Sequence, residues 1–114
     1  TRYGIFQDEG YKGLYGGLSS KDIHQRKKLK PSHQILDHMG STELAANFFR
    51  VTQTADKLRR ESIKSEATAN KTHHEVGRKV RQTIKELGGT MPEDLETPEK
   101  SIRQLENAKK KLTK

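Results

Sequence analysis

The 114-residue chain contains no cysteine and no tryptophan, and it has no long apolar run. Without cysteine there is no disulfide framework and no thiolate chemistry, which fits a reducing cytosol. No apolar stretch approaches the ~18 residues of a membrane-spanning helix, and the first residues do not resemble a signal peptide. The sequence therefore predicts neither a disulfide-stabilised secreted domain nor a membrane partner.

Large apolar side chains are also scarce. Leu, Ile, Val and Phe supply 22 of the 114 residues, just below the ~20 % level at which high net charge begins to indicate disorder. A single core built from so few side chains would be thin, because small domains bury a smaller share of their surface. The apolar residues that are present are regularly spaced. We therefore expect a folded domain that completes its burial against a second copy or another part of a parent chain.

Basic residues are the abundant class. There are 23 Lys and Arg residues against 15 Asp and Glu, which gives a net charge of +8 and a pI near 9.8. This balance is typical of proteins that bind polyanions, above all nucleic acid. The alternative is a protein that happens to be basic.

Residue spacing predicts an all-α fold. Five glycines among residues 1–18 predict a Gly-rich irregular lead-in, and we assign residues 19–114 to a helical module. A first short helix is expected over about 20–29, capped by Ser19 or Ser20 and ending before Pro31. A second short helix is expected over about 33–39, closed by Gly40 at its C-terminus.

Two long helices follow. Ser41 is expected to open the first, in which the apolar residues Leu44, Phe48, Val51, Ala55 and Leu58 share one stripe, the most apolar surface of the chain. The second is expected over about 67–87 and has the apolar stripe Ala69, His73, Val76, Val80, Ile84 and Leu87. Gly77 within it indicates a close helix crossing, because glycine in a helix interior costs up to ~1 kcal/mol.

A last helix is predicted after Thr97 and Pro98. Its apolar edge would be formed by Ile102, Leu105 and Leu112, and its end by Lys109, Lys110, Lys111 and Lys114.

Two basic clusters are the candidate binding residues. On the second long helix, at ~100° per residue, one stripe separate from the apolar one contains Lys71, His74, Arg78, Arg81 and Lys85. At the end of the first short helix lie Arg26, Lys27, Lys28 and Lys30, where cations also complement the helix dipole. We expect the helical stripe to contact phosphate or an acidic protein surface, although charged helix faces are commonly only solvated.

Catalytic and metal-binding patterns are not apparent. His33 and His38 are five residues apart and His73 and His74 are adjacent, so neither pair has the spacing of an HExxH zinc helix. The serines and threonines serve as helix caps, and the segment 13–17 lacks the Lys-Ser/Thr ending of a phosphate-binding loop. We therefore expect no enzyme activity, no metal, no cofactor and no small-molecule substrate.

Three stretches of sequence carry information beyond residue spacing and charge: YKGLYGGLSSKDIHQRKKL, ILDHMGSTELAANFFRVTQTADKL, and THHEVGRKVRQTIKELGGTMPEDL followed by TPEKSIRQLE. In this order they resemble the C-terminal region of the bacterial DNA-damage-inducible protein D family. The resemblance implies that an N-terminal domain similar to that of BRO-type antirepressors precedes this region, and that residues 1–18 form the junction between the two. It also implies a cytoplasmic protein of the SOS response that is associated with control of recombinase filaments on single-stranded DNA, without established catalytic residues.

Three functions follow as hypotheses. The first is a binding module that docks its basic helix face on single-stranded DNA or a recombinase–DNA filament. The second is a dimerisation module of an antirepressor-like regulator, with residues 44–58 and 76–87 forming the core of a homodimer. The third is a helix-turn-helix built from 20–29 and 33–39, which Pro31 and the few base-reading side chains argue against.

Overall fold

A computed structural model of the chain describes residues 2–98. Within this range there are four α-helices and no strand, which confirms the predicted all-α fold. The helices are α1 (Arg2–Leu14), α2 (Ser20–Arg26), α3 (Ser41–Arg60) and α4 (Glu66–Glu86), and short 3-10 turns span Ile35–His38 and Pro92–Asp94. The predicted last helix, with its apolar and lysine residues from 102 onward, lies outside the described residues.

The irregular lead-in predicted for residues 1–18 is wrong, because residues 2–14 form helix α1. Its glycines allow a close helix contact instead of a turn. A Cβ at Gly10 would collide with the His73 ring, and one at Gly13 with the backbone carbonyl oxygen of His74. Of the glycines in residues 2–18, Gly16 and Gly17, which follow the helix, have the positive φ angles of turn glycines.

The close crossing predicted at Gly77 is confirmed. A Cβ at Gly77 would lie 2.8 Å from the carbonyl oxygen of Gly10 and 2.8 Å from the amide nitrogen of Leu14. Helices α1 and α4 therefore pack backbone against backbone, and this is the most extensive contact between helices among the described residues.

The short elements differ from prediction in length. Helix α2 starts as expected, with Ser19 and Asp22 forming a capping box, but it ends at Arg26. The second predicted helix is only the four-residue 3-10 turn Ile35–His38. Gly40 does not close that turn but is the N-cap of α3. A turn of this length cannot serve as a recognition helix in a major groove, so the helix-turn-helix hypothesis lacks its second helix.

The apolar core lies where α1, α2 and α4 meet the segment before α3. Its buried members are Tyr11, Leu14, Tyr15, Ile23, Met39 and Val80. No residue of α3 belongs to this buried set. Within residues 2–98, no helix has the length and apolar content that crossing a membrane requires.

Helix α3 packs with its polar side inward. Its buried residues are Glu43, Asn47, Arg50 and Thr54, which recur at the helical spacing of four, three and four. The apolar stripe lies next to this row and faces outward, with Phe48 60 % exposed and Val51 47 % exposed. The most apolar surface predicted from the sequence is therefore largely open to solvent.

The buried polar row is satisfied by other segments. Glu43 accepts a hydrogen bond from the Tyr15 hydroxyl and forms an ion pair with Lys27, whose Nζ lies 2.8 Å from Glu43 Oε1. Asn47 donates to Tyr15 Oη at 3.0 Å and to the carbonyl oxygen of Glu43 at 2.9 Å. Burial, and then the hydrogen bond to Glu43, raises the pKa of Tyr15. These partners are what makes a polar interior face possible.

Candidate functional site

Helix α4 is held with one side against protein and the other toward solvent. It begins after Ser65, whose hydroxyl accepts a hydrogen bond from the amide of Thr68. On the packed side, His73 and Val80 are buried, as the apolar stripe predicts. Leu87 departs from that stripe, since it is the C-cap residue and is 81 % exposed. The crossing at Gly77 fixes which side of α4 faces outward.

Three cations of the predicted stripe lie on the outward side. Lys71, Arg78 and Lys85 are exposed, and we call these three residues the cationic ridge. Among residues 2–98, no carboxylate forms an ion pair with any of them. They recur every seven residues, so successive positive charges are about 10 Å apart along the helix axis. The ridge is thus a straight row of available cations.

The other two residues of the stripe make internal contacts. Arg81 donates to the carbonyl oxygen of Leu14 at 3.1 Å and to both carboxylate oxygens of Glu93, at 2.7 and 2.8 Å. The hydrogen bonds with Glu93 raise the pKa of Arg81. Burial alone would raise the pKa of Glu93, but the Arg81 contact holds it below its ordinary value. His74 lies at the edge of the contact with α1, with Nδ1 3.4 Å from Glu9 Oε2.

The second predicted cluster also contains both paired and unpaired cations: Arg26 and Lys27 form ion pairs, and among residues 2–98 Lys28 and Lys30 form none. The Lys27 side chain is only 7 % exposed and contacts Glu43, the carbonyl oxygen of His38 and the Thr97 hydroxyl. Arg26 donates to the carbonyl oxygen of Glu93 and pairs with Asp94 at 2.9 Å. Arg26 thus holds the 3-10 turn Pro92–Asp94 against α2, and Lys27 links the end of α2 to α3 and to Thr97.

Lys28 and Lys30 of the second cluster are exposed, and Lys28 has a positive φ of 57°. They lie on the connection after α2 and not on a rigid helix. The cluster therefore has three exposed cations, of which Arg26 is paired with Asp94, and among residues 2–98 only Lys28 and Lys30 form no ion pair.

One exposed cation next to the ridge was not singled out from the sequence. Lys79 lines the same shallow surface as Arg78 and Gln82. It is ~100° from Arg78 around the helix, outside the narrow stripe used for prediction. A wider stripe, covering every Lys and Arg on the half of the helix opposite the apolar residues, would have included it.

The described residues show no arrangement of metal ligands. Between residues 2 and 98, no group of three or more His, Asp or Glu side chains is placed to hold a metal ion. The neighbouring acids Glu93 and Asp94 pair with Arg81 and Arg26.

Comparison with known proteins places the chain in a family. It is 66 % identical over 110 residues to the DNA damage-inducible protein D of Escherichia coli (strain K12). The match covers 96 % of this chain and 40 % of that relative, so the chain spans less than half of the relative's length. No solved structure matches it. The family described as the DinD C-terminal domain matches residues 1–105. The chain therefore belongs to the DinD C-terminal domain family, which confirms the resemblance found in its sequence.

Proposed function

We propose that this chain is a non-catalytic binding module of the DNA-damage response, and that its cationic ridge docks on the phosphates of single-stranded DNA or of a recombinase–DNA filament. The observation that supports this proposal is the exposure of Lys71, Arg78 and Lys85 without ion pairs among the described residues. Membership of the DinD C-terminal domain family supports the link with DNA damage.

Contact with phosphate would be electrostatic and independent of sequence. The ridge spans about 21 Å between its first and last cation, and the backbone contact at Gly77 fixes the position of α4 against α1. No aromatic side chain lies on the ridge, so stacking on bases is not part of the mechanism. Each phosphate that a ridge cation neutralises releases condensed counterions, and this release makes the affinity fall as salt rises.

The proposal is tested by reversing the charge of the ridge in the full chain. The variant has Lys71→Glu, Arg78→Glu and Lys85→Glu. The matched control has Lys21→Glu, Arg59→Glu and Lys64→Glu, three exposed cations outside both predicted clusters, so both variants undergo the same change in net charge. Fluorescence anisotropy would measure binding to an oligothymidylate strand, to duplex DNA and to recombinase-coated single-stranded DNA.

We expect the ridge variant to lose binding to the strand or to the coated filament, and the control to keep most of it. Circular dichroism should show equal helicity in both. Equal loss in the two variants would mean that total charge, and not the ridge, attracts DNA. Unchanged binding by the ridge variant would remove the ridge from the function.

A further inference from the structure

An apolar groove lies between α1 and α3, with His73 of α4 at its base. Its volume is about 340 Å³. It is lined by side chains of α1, α3 and the turn before α3, among them Tyr3, Phe6, Leu36, Leu44, Phe48 and Val51. Four of these, Tyr3, Leu36, Phe48 and Val51, are large apolar residues that are exposed to solvent. Contiguous exposed apolar surface of this kind is typical of a site that contacts another molecule.

A buried cation lines the same groove. Arg50 is only 3 % exposed, and among residues 2–98 it forms no ion pair with a carboxylate. Its Nη2 donates to Asn47 Oδ1 at 2.9 Å, and its guanidinium lies over the Tyr11 ring at 4.8 Å from the centroid. Its Nε is buried without a hydrogen-bond partner among the described residues. A buried charge that lacks an opposite charge is costly, so the position favours an incoming acceptor.

His73 adds no second charge to the groove. Its Nδ1 lies 2.8 Å from the carbonyl oxygen of Phe6 and donates to it, while Nε2 accepts from Arg50 Nη1. This arrangement requires the neutral imidazole. Among residues 2–98, none of those that line the groove is acidic. The groove therefore has an apolar wall and a single unneutralised positive charge.

We propose that this groove binds an acidic amphipathic helix of a partner protein, with apolar side chains against Phe48 and Val51 and one carboxylate directed at Arg50. From Leu44 to Leu58 the α3 wall is about 21 Å long, the length of ~14 residues of helix. Grooves of this form commonly receive the apolar face of a helix. The net charge of +8 would attract an acidic partner.

A second copy of the chain is a poorer occupant. In a twofold contact the same surface meets itself, so each groove would face apolar side chains and another Arg50, with no carboxylate from either lining. Arg50 would then stay unneutralised. The groove and the ridge also lie on different sides of α4, because His73 is ~160° from Lys71 and ~140° from Arg78 around the helix. The groove proposal therefore does not depend on DNA binding by the ridge.

The test uses the full chain and two synthetic helical peptides as probes. Each peptide is about 14 residues long, with leucines spaced three and four residues apart and a helix-stabilising staple on its outer side. One has a glutamate beside the central leucines, and the other has glutamine there. We expect the glutamate peptide to bind about tenfold more tightly, a difference of ~1.4 kcal/mol, because its carboxylate neutralises Arg50 and the glutamine amide does not.

Matched variants identify the groove as the site. Phe48→Glu should abolish binding of both peptides, whereas Phe49→Glu, a neighbouring exposed position outside the groove, should not. Arg50→Gln should remove the preference for glutamate. If the Arg50→Gln variant fails to fold, two comparisons still test the proposal. One is the affinity of the unaltered chain for the two peptides, and the other is the effect of Phe48→Glu against that of Phe49→Glu. The charge-reversed ridge variant should keep the tenfold preference for the glutamate peptide over the glutamine peptide.

Three results would overturn the proposal. The first is equal affinity of the unaltered chain for the two peptides, or no binding of either. The second is a dimer in sedimentation experiments that Phe48→Glu dissociates, which would assign the groove to a second copy. The third is cross-linking from the groove to residues 99–114 of the same chain, which would assign it to that segment.

Discussion

Gly77 of α4 lies directly against the carbonyl oxygen of Gly10 in α1, and a Cβ at position 77 would approach that oxygen to 2.8 Å. The neighbouring atoms that it would meet, from Gly13 and Leu14, also belong to the backbone. Backbone atoms of two helices cannot rotate out of the way as a side chain does. This contact fixes the position of α4, and through it the direction of the cationic ridge.

Replacing Gly77 with Ala should therefore destabilise the chain. Overpacking of a tight contact costs about 1–3 kcal/mol and sometimes more, which exceeds the ~1 kcal/mol that alanine gains over glycine in a helix. The free energy of unfolding in urea, followed by circular dichroism, measures the difference. Gly40→Ala is the steric control: a Cβ there meets nothing within 4 Å, and at the N-cap of α3 the change should cost less than about 1 kcal/mol. A Gly77→Ala variant as stable as the unaltered chain would contradict the backbone contact.

Because the polar side of α3 is buried, replacing a polar residue there should destabilise the chain more than replacing an exposed apolar residue. Asn47→Leu should destabilise the chain by about 1–3 kcal/mol, because it removes the acceptor of Arg50 Nη2 and the donor to Tyr15. Phe48→Gln should change stability by less than about 1 kcal/mol, because that ring is largely exposed. Thermal and urea unfolding of the two variants measure both effects. A larger loss for Phe48→Gln would show that the apolar stripe packs against the chain's own core.

Buried His73 makes stability depend on pH. Burial, and then the charge of Arg50, lowers the pKa of His73 to about 4, against ~6.5 in the unfolded chain. As the pH falls from about 6.5 to 4, the unfolded chain therefore binds a proton that the folded chain does not. The stability from this residue is present above pH ~6.5 and is lost through that window, by about 3 kcal/mol in total.

Unfolding free energies at several pH values between 7.5 and 4 would measure this loss. His73→Gln should flatten the profile, since glutamine does not titrate. His33→Gln is the control, because its imidazole is only half-buried. A profile that is equally steep with and without His73 would contradict the neutral buried imidazole.

Substitution by glutamine should affect DNA binding at Arg78 and stability at Arg81. Arg78→Gln removes one ridge cation, so for single-stranded DNA the slope of log affinity against log salt should become shallower by about 0.7. Arg81→Gln should leave that slope nearly unchanged but reduce stability, because Arg81 joins α4 to Leu14 and Glu93. Salt-titrated anisotropy and urea unfolding separate the two effects. Equal changes in slope would mean that Arg81 also reaches the phosphates.

Much of the fold was predictable from local sequence. Apolar spacing predicted α3 with its start at Ser41 and placed α4 to within about a residue at each end, and Gly77 indicated the crossing. Helix α1 was missed because glycine at Gly10 and Gly13 normally indicates turns. The close approach that requires these glycines involves His73 and His74, more than 60 residues away in the chain, and local pattern does not contain that information.

The candidate site was predictable only in part for the same reason. Helical periodicity placed Lys71, Arg78 and Lys85 together on an exposed face. It could not show that Arg81 meets Glu93 across a turn, or that Lys27 meets Glu43 from another helix. The groove was hidden because apolar residues on α3 normally indicate the packed side. Only the tertiary partners of Asn47 and Arg50 explain why the polar row faces inward.

The two surfaces of this molecule are separated by the thickness of α4, roughly 10 Å. A DNA strand bound along the ridge and a partner helix bound in the groove would therefore not collide. Under the two proposals made above, occupation of one surface would leave the other available, and the chain would act as a bridge that recruits an acidic protein to DNA. Such a bridge concentrates its second partner locally without any change in its own shape.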